Sequence, residues 1–137
     1  MKLIQVKRSG RYLKQFNALH KPIKKEKVFN KGEGKMGWNV VKEDERYIVT
    51  DNDTLKRLVT STTELNASHS TTGHSHVGQE EVYIFRSGSG EMEINEKRFE
   101  VNAGDIIFIE DGDFHRVHNT SDKKLEFVCV FDGVRSH

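Results

Sequence analysis

The sequence predicts an all-β protein, a sandwich or a barrel, on three observations. Runs rich in Val, Ile, Thr, Tyr and Phe recur about every ten residues from Trp38 to Phe131. Turn-forming residues separate them, as at Asp51-Asn52-Asp53, Gly88-Ser89-Gly90 and Asn95-Glu96. No central stretch carries a convincing helical period, so nothing interrupts the succession of strands.

The elements follow in order. Residues 1–35 have weak periodicity. Val6 to Leu19 reads as a short strand and a helical turn, Pro22 breaks what precedes it, and Lys31-Gly32-Glu33-Gly34-Lys35 reads as a loop. We expect residues 1–35 to be a basic N-terminal extension, partly ordered by packing on the barrel, and residues 36–137 to form a single domain. Trp38-Asn39-Val40-Val41 and Arg46-Tyr47-Ile48-Val49-Thr50 are short strands, and Asp51-Asn52-Asp53 is a turn. Residues 55–65 are rich in β-branched side chains and read as one long strand. A polar loop, 66–73, leads to two histidines. Val82-Tyr83-Ile84-Phe85 is a buried strand, and Gly88 and Gly90 punctuate the turn after it. Glu91-Met92-Glu93-Ile94 and Arg98-Phe99-Glu100-Val101 alternate charged and apolar residues about Asn95-Glu96, the pattern of a hairpin. Glu96 stands where a tight turn prefers Gly, which predicts a looser turn. Ile106-Ile107-Phe108-Ile109 reads as buried on both faces, residues 114–119 put His115, Val117 and Asn119 on one face, and residues 125–131 close the domain.

A length of 137 residues fits one domain with one core. A single cysteine excludes an internal disulfide and points to a reducing compartment. No apolar run has the length of a membrane span, and the first residues lack the apolar segment of a secretory signal. The expectation is a cytoplasmic protein that does not engage membranes. Charge is unevenly placed. Residues 1–35 hold nine lysines and two arginines against Glu26 and Glu33, a balance of +9, which leaves −8 for the rest of a chain with net charge +1. A basic arm over an acidic barrel predicts a homodimer in which each arm covers its neighbour's edge strand. Nucleic acid is the less favoured partner, because no basic–aromatic interleaving accompanies the charge.

One stretch, Gly73-His74-Ser75-His76-Val77-Gly78-Gln79-Glu80-Glu81, concentrates the chemistry. In extended backbone, residues two apart share a face, so His74 and His76 can aim two imidazoles at one point. Glu80 and Glu81 compete to add a carboxylate. Two neutral nitrogens and a carboxylate on stiff backbone make most of a site for Fe(II), Mn(II), Ni(II) or Zn(II). If Glu81 faces the ion, alternation puts Tyr83 and Phe85 beside it and Val82 and Ile84 on the other face. His20, His69 and His137 have no such spacing, and Cys129, between Phe127 and Phe131 on one face, reads as a small core residue. Gln79, Arg57 and Arg116 are polar groups within possible reach of a ligand.

The two histidines, Glu81 and, six residues on, Gly88 resemble the first motif of the cupin superfamily. Gly104, Gly112, His115 and Asn119 resemble the second motif. Ser68 departs from a usual Gly, and Glu110 from a usual Pro, whose absence predicts a looser loop. The resemblance implies a double-stranded β-helix of jelly-roll type. It selects Glu81 over Glu80 and adds His115 as the fourth ligand of one divalent metal ion, with His118 on the opposite face. It also implies a small-molecule ligand. Similarity to archaeal cupin-type glucose-6-phosphate isomerases suggests a sugar or sugar-phosphate isomerase, although the gap between His76 and Glu81 is shorter than theirs. The alternatives are an Fe(II)-dependent dioxygenase and a non-enzymatic metal or small-molecule binder.

Overall fold

The computed structural model describes residues 37–133 and, within the extension, two strands. Pro22, the loop expected at 31–35, His20 and His137 lie outside the described residues. The strands are β1 (Leu3–Arg8), β2 (Arg11–Asn17), β3 (Trp38–Glu43), β4 (Tyr47–Asn52), β5 (Leu58–Leu65), β6 (Glu81–Ser87), β7 (Ser89–Ile94), β8 (Lys97–Asn102), β9 (Asp105–Ile109), β10 (His115–His118) and β11 (Leu125–Asp132). They form an eight-stranded sheet, in the order β1-β2-β9-β6-β11-β5-β4-β3, and a three-stranded sheet, β10-β7-β8. Every pairing is antiparallel. The all-β architecture of two antiparallel sheets expected from the sequence is the fold observed.

The sheets close on a core that alternation supplies. Along β6, Glu81, Tyr83 and Phe85 are buried while Val82 and Ile84 are half-buried. Along β11, Leu125, Phe127, Cys129 and Phe131 point in. From the smaller sheet come Met92, Ile94, Val101 and Val117. Each large apolar side chain so enclosed contributes roughly 1.5–3 kcal/mol relative to exposure. Among the described residues no helix is long and apolar enough to cross a membrane.

Several local expectations are corrected. The helical turn expected before Leu19 is strand instead: β2 pairs with β1 from Leu3 opposite Phe16 to Arg8 opposite Arg11. β2 also joins β9, Phe16 opposite Ile106 and Asn17 opposite Asp105. The open edge of β9 offers backbone partners that a helical turn would leave unused. The turn expected at Asp51-Asn52-Asp53 comes later, because Asp51 and Asn52 finish β4. There the Asn52 side chain accepts a hydrogen bond from Thr54 N (3.0 Å), an Asx turn that ends the strand. Accordingly β5 starts at Leu58, and Leu55 is exposed.

β9 is buried on one face only. Ile107 and Ile109 point in, whereas Phe108 is 39% exposed. In a two-layer antiparallel fold the outer face of a strand has no second layer to cover it. The hairpin at Asn95-Glu96 is tight, with Ile94 opposite Lys97. Asn95 supplies the positive φ (56°) at the first turn position, so Glu96 does not need to. The loop at Glu110 closes as a hydrogen-bonded turn without Pro. Asp113 N donates to Glu110 O (3.1 Å), and Gly112 takes the positive φ (83°) that the turn requires.

Candidate metal centre

Two loops are stitched together to carry the site. His74 and His115 form a single antiparallel bridge: His74 N donates to His115 O (3.2 Å), and His115 N to His74 O (2.9 Å). Gly112 N donates to His76 O (2.8 Å), and Gly78 N to the Asp111 carboxylate (2.7 Å). The two histidines therefore sit in a loop rather than a strand, made extended by its partner. Glu81 opens β6 between β9 and β11, opposite Ile109 and Phe131.

These elements bring His74, His76, Glu81 and His115 together. One ligand atom from each lies within 4.8 Å of all the others. Donors at about 2.1 Å from a shared ion are at most ~4.2 Å apart, so small side-chain shifts close the set. Glu81 Oε2 is 3.0 Å from His115 Nε2 and 3.9 Å from His76 Nε2. The Nδ1 atoms are committed elsewhere: that of His115 faces Asp113 O (2.9 Å) and that of His74 faces Thr72 O (3.2 Å). A carbonyl only accepts, so each Nδ1 carries a proton, and in the neutral imidazole that a metal requires each Nε2 presents a lone pair. Consequently Glu81 Oε2 and His115 Nε2 are buried and close, yet neither has a hydrogen-bond partner. Two acceptors facing each other out of water cost free energy unless a cation lies between them. Glu80 is exposed, so the choice of Glu81 follows from burial as well as register.

A cavity of about 170 Å³ adjoins the centre, lined in part by His74, Glu81, Tyr83, Tyr47, Thr72 and Lys42. Tyr83 is thus beside the ligand atoms, its ring 5.6 Å from that of His115. Phe85, expected beside them too, does not line the cavity. It lies one pleat deeper, 1% exposed, with its ring 5.4 Å from that of Phe127. The cause is depth along β6: two residues of strand carry Phe85 past the open end and into the filled core.

Tyr47, Thr72 and Lys42 are cavity residues that sequence reading missed. The Tyr47 hydroxyl is 3.1 Å from Thr72 Oγ1, and Lys42 Nζ donates to the same oxygen (3.3 Å). Burial acts to raise the Tyr47 phenol, but the neighbouring Lys42 and Thr72 outweigh it and hold it below its ordinary value. The alternation of Tyr47, Val49 and Asp51 was a signal for their inward face.

Other candidates fall elsewhere. Arg57 pairs with Asp132 (2.8 Å), Gln79 donates to Asp132 O (2.8 Å), and Arg116 donates to Thr71 O (2.9 Å). None of the three lines the cavity. His118 points away from His115, its ring nitrogens on Ser70 Oγ (2.7 Å) and Glu93 (2.6 Å). His69 bonds Ala67 O (2.8 Å). Asn119 ties loops, donating to Leu65 O, Asn66 O and Lys123 O.

Comparison with known proteins agrees with this geometry. A family model described as "Cupin domain" matches residues 61–131, just over half of the chain. An oxalate-binding protein of Thermotoga maritima is 37% identical over 57 residues, 42% of this chain and 47% of its own length. An uncharacterised protein of Methanocaldococcus jannaschii is 34% identical over 64 residues, 47% of this chain and 51% of its own. The chain therefore spans about half the length of these curated relatives. Among solved structures, an oxalate decarboxylase superposes with a TM-score of 0.65 at 20% identity, over 72% of this chain and 29% of the other. A predicted oxalate decarboxylase of T. maritima gives 0.58 at 24% identity, over 71% and 92%. Sheet order, paired loops and the matched family model lead to one conclusion: this chain belongs to the cupin family.

Proposed function

We propose that this cupin holds one divalent metal ion through His74, His76, Glu81 and His115, and that the ion binds a small carboxylate in the adjacent cavity. The observation that carries the reading is the unsatisfied pair, Glu81 Oε2 and His115 Nε2, 3.0 Å apart in a buried site. Three imidazoles and one carboxylate leave open positions on an octahedral ion, where an oxygen ligand can coordinate. The ion would supply Lewis acidity to a bound oxygen group. The protein's part is to hold the donors, with proton positions fixed by Thr72 O and Asp113 O, and to wall the site with Tyr83. The T. maritima relative named for oxalate binding supports a carboxylate as the ligand class. The isomerase and dioxygenase expectations rest on motif similarity alone, since no cavity residue selects either. The homodimer belongs to the same proposal, since β3 ends the larger sheet and exposes Val40 and Val41.

Calorimetric titration of oxalate into Mn(II)-loaded and chelator-treated protein tests the reading. Binding should require the metal and vanish in Glu81→Ala. Oxalate binding that is equal with and without metal, or absent from loaded protein, overturns it.

A further inference from the structure

Lys42 is turned into the cavity by an irregularity in β3. Val40 pairs with Thr50, but the next partner, Val49, is met by Lys42 rather than Val41. The extra residue is a β-bulge at Val41, and bulges re-aim the side chains that follow them. Without it, Lys42 would stand opposite Ile48 on the outer face. With it, Lys42 stands opposite Val49, which is 7% exposed, and both line the cavity.

Among the described residues, the ammonium brought in has no paired counter-charge. Lys42 donates to Thr72 Oγ1 (3.3 Å) and lies 4.8 Å from the Tyr47 ring centroid, but forms no salt bridge among the described residues. Arg46, also over that ring (4.9 Å), donates to the same Thr72 Oγ1 (3.3 Å), but its charge is paired with Asp44 (2.6 Å). A half-buried cation held, among the described residues, by hydroxyls and an aromatic face is placed to receive an anion. Thr72 connects it to the metal centre, since the Thr72 carbonyl orients His74. The cavity between them has room for about six waters at roughly 30 Å³ each, the size of a small organic acid.

We infer that Lys42 is a second anchor, so that the preferred ligand is a small dianion: one acid end on the metal, the other on the Lys42 ammonium. This rests on the carboxylate reading proposed above. The charge balance agrees. A divalent ion with Glu81 leaves one positive charge and Lys42 adds another, which a dianion neutralises and a monoanion does not.

The test uses two probes with the same metal-chelating end, malate and malate 4-amide, titrated into Mn(II)-loaded protein. The native chain should bind malate about tenfold more tightly, as expected for one charge-assisted hydrogen bond that is partly screened. Lys42→Gln should erase that preference while Mn(II) affinity and amide binding stay unchanged. Arg46→Gln should keep the preference. If the native chain binds both probes equally, or if the preference survives in Lys42→Gln or is lost instead in Arg46→Gln, the second anchor is wrong and the carboxylate reading stands. If neither probe binds the metal-loaded chain, the carboxylate reading fails, and the anchor with it.

Discussion

Glu81 Oε2 and His115 Nε2 face each other across 3.0 Å, one 7% and the other 1% exposed by side chain, and neither has a hydrogen-bond partner. The backbone enforces this. Asp113 O holds the proton of His115 on Nδ1, and β6 fixes Glu81 between two neighbouring strands.

An amide in place of that carboxylate would resolve the clash without metal. Glu81→Gln puts an N–H donor within reach of His115 Nε2. The metal-free variant should be more stable than the metal-free native chain by about 1 kcal/mol, the net worth of one hydrogen bond. It should also lose the stabilisation that saturating Mn(II) gives the native chain, about 2.7 kcal/mol at a hundredfold excess over Kd. Thermal denaturation of both proteins, with and without metal, checks both signs.

Asp111 acts on the site from outside it. Its carboxylate accepts the Gly78 N–H beyond His76, which pins the histidine loop to the turn before His115. Asp111→Ala should weaken metal binding about 10- to 100-fold, the usual effect of removing a group that orients ligands. Because the position is exposed, the metal-free melting temperature should hardly move. Metal titration and denaturation of one sample separate the two effects.

Phe85 should behave as core. Phe85→Ala should cost about 3–5 kcal/mol, the range for deleting a buried aromatic ring. At a temperature where the variant is folded, metal affinity should be native. Ile84→Ala, on the half-buried face, should cost less. Urea denaturation ranks the two.

The turn before Tyr47 carries a pH signature. The Asp44 carboxylate grips the Arg46 side chain and accepts Arg46 N (2.8 Å), which lowers its pKa from 3.8 to about 2. A depressed carboxyl stabilises the folded state above its ordinary pKa, and that contribution is lost as pH falls through about 2. Carboxyl NMR should place the Asp44 midpoint near there and return it toward 3.8 in Arg46→Gln.

Much of this was legible in the chain. The strand rhythm gave the two-sheet fold, and parity along 81–85 put Glu81 and Tyr83 on the inner face. What parity cannot carry is depth, so Phe85 looked like a pocket residue although it lies beneath the pocket. Nor does alternation reveal a bulge: the one extra residue at Val41 turns Lys42 inward, and neither its neighbours nor its type announces this. Ser68 shows the converse. It departs from a usual Gly, yet keeps the left-handed backbone (φ 60°) that glycine would favour, so the loop's path survives the substitution. Lys42 and Tyr47 lie on the paired strands β3 and β4, but Thr72 reaches them from the loop before His74, a long-range contact that local sequence does not contain.

Metal stoichiometry is the direct measurement of the central claim. The native chain, stripped with chelator, reloaded with Mn(II) and desalted, should retain one ion per chain by elemental analysis. His76→Ala and Glu81→Ala, shown to be folded by circular dichroism, should retain none. Full occupancy in either variant, or no ion in the reloaded native chain, would contradict it.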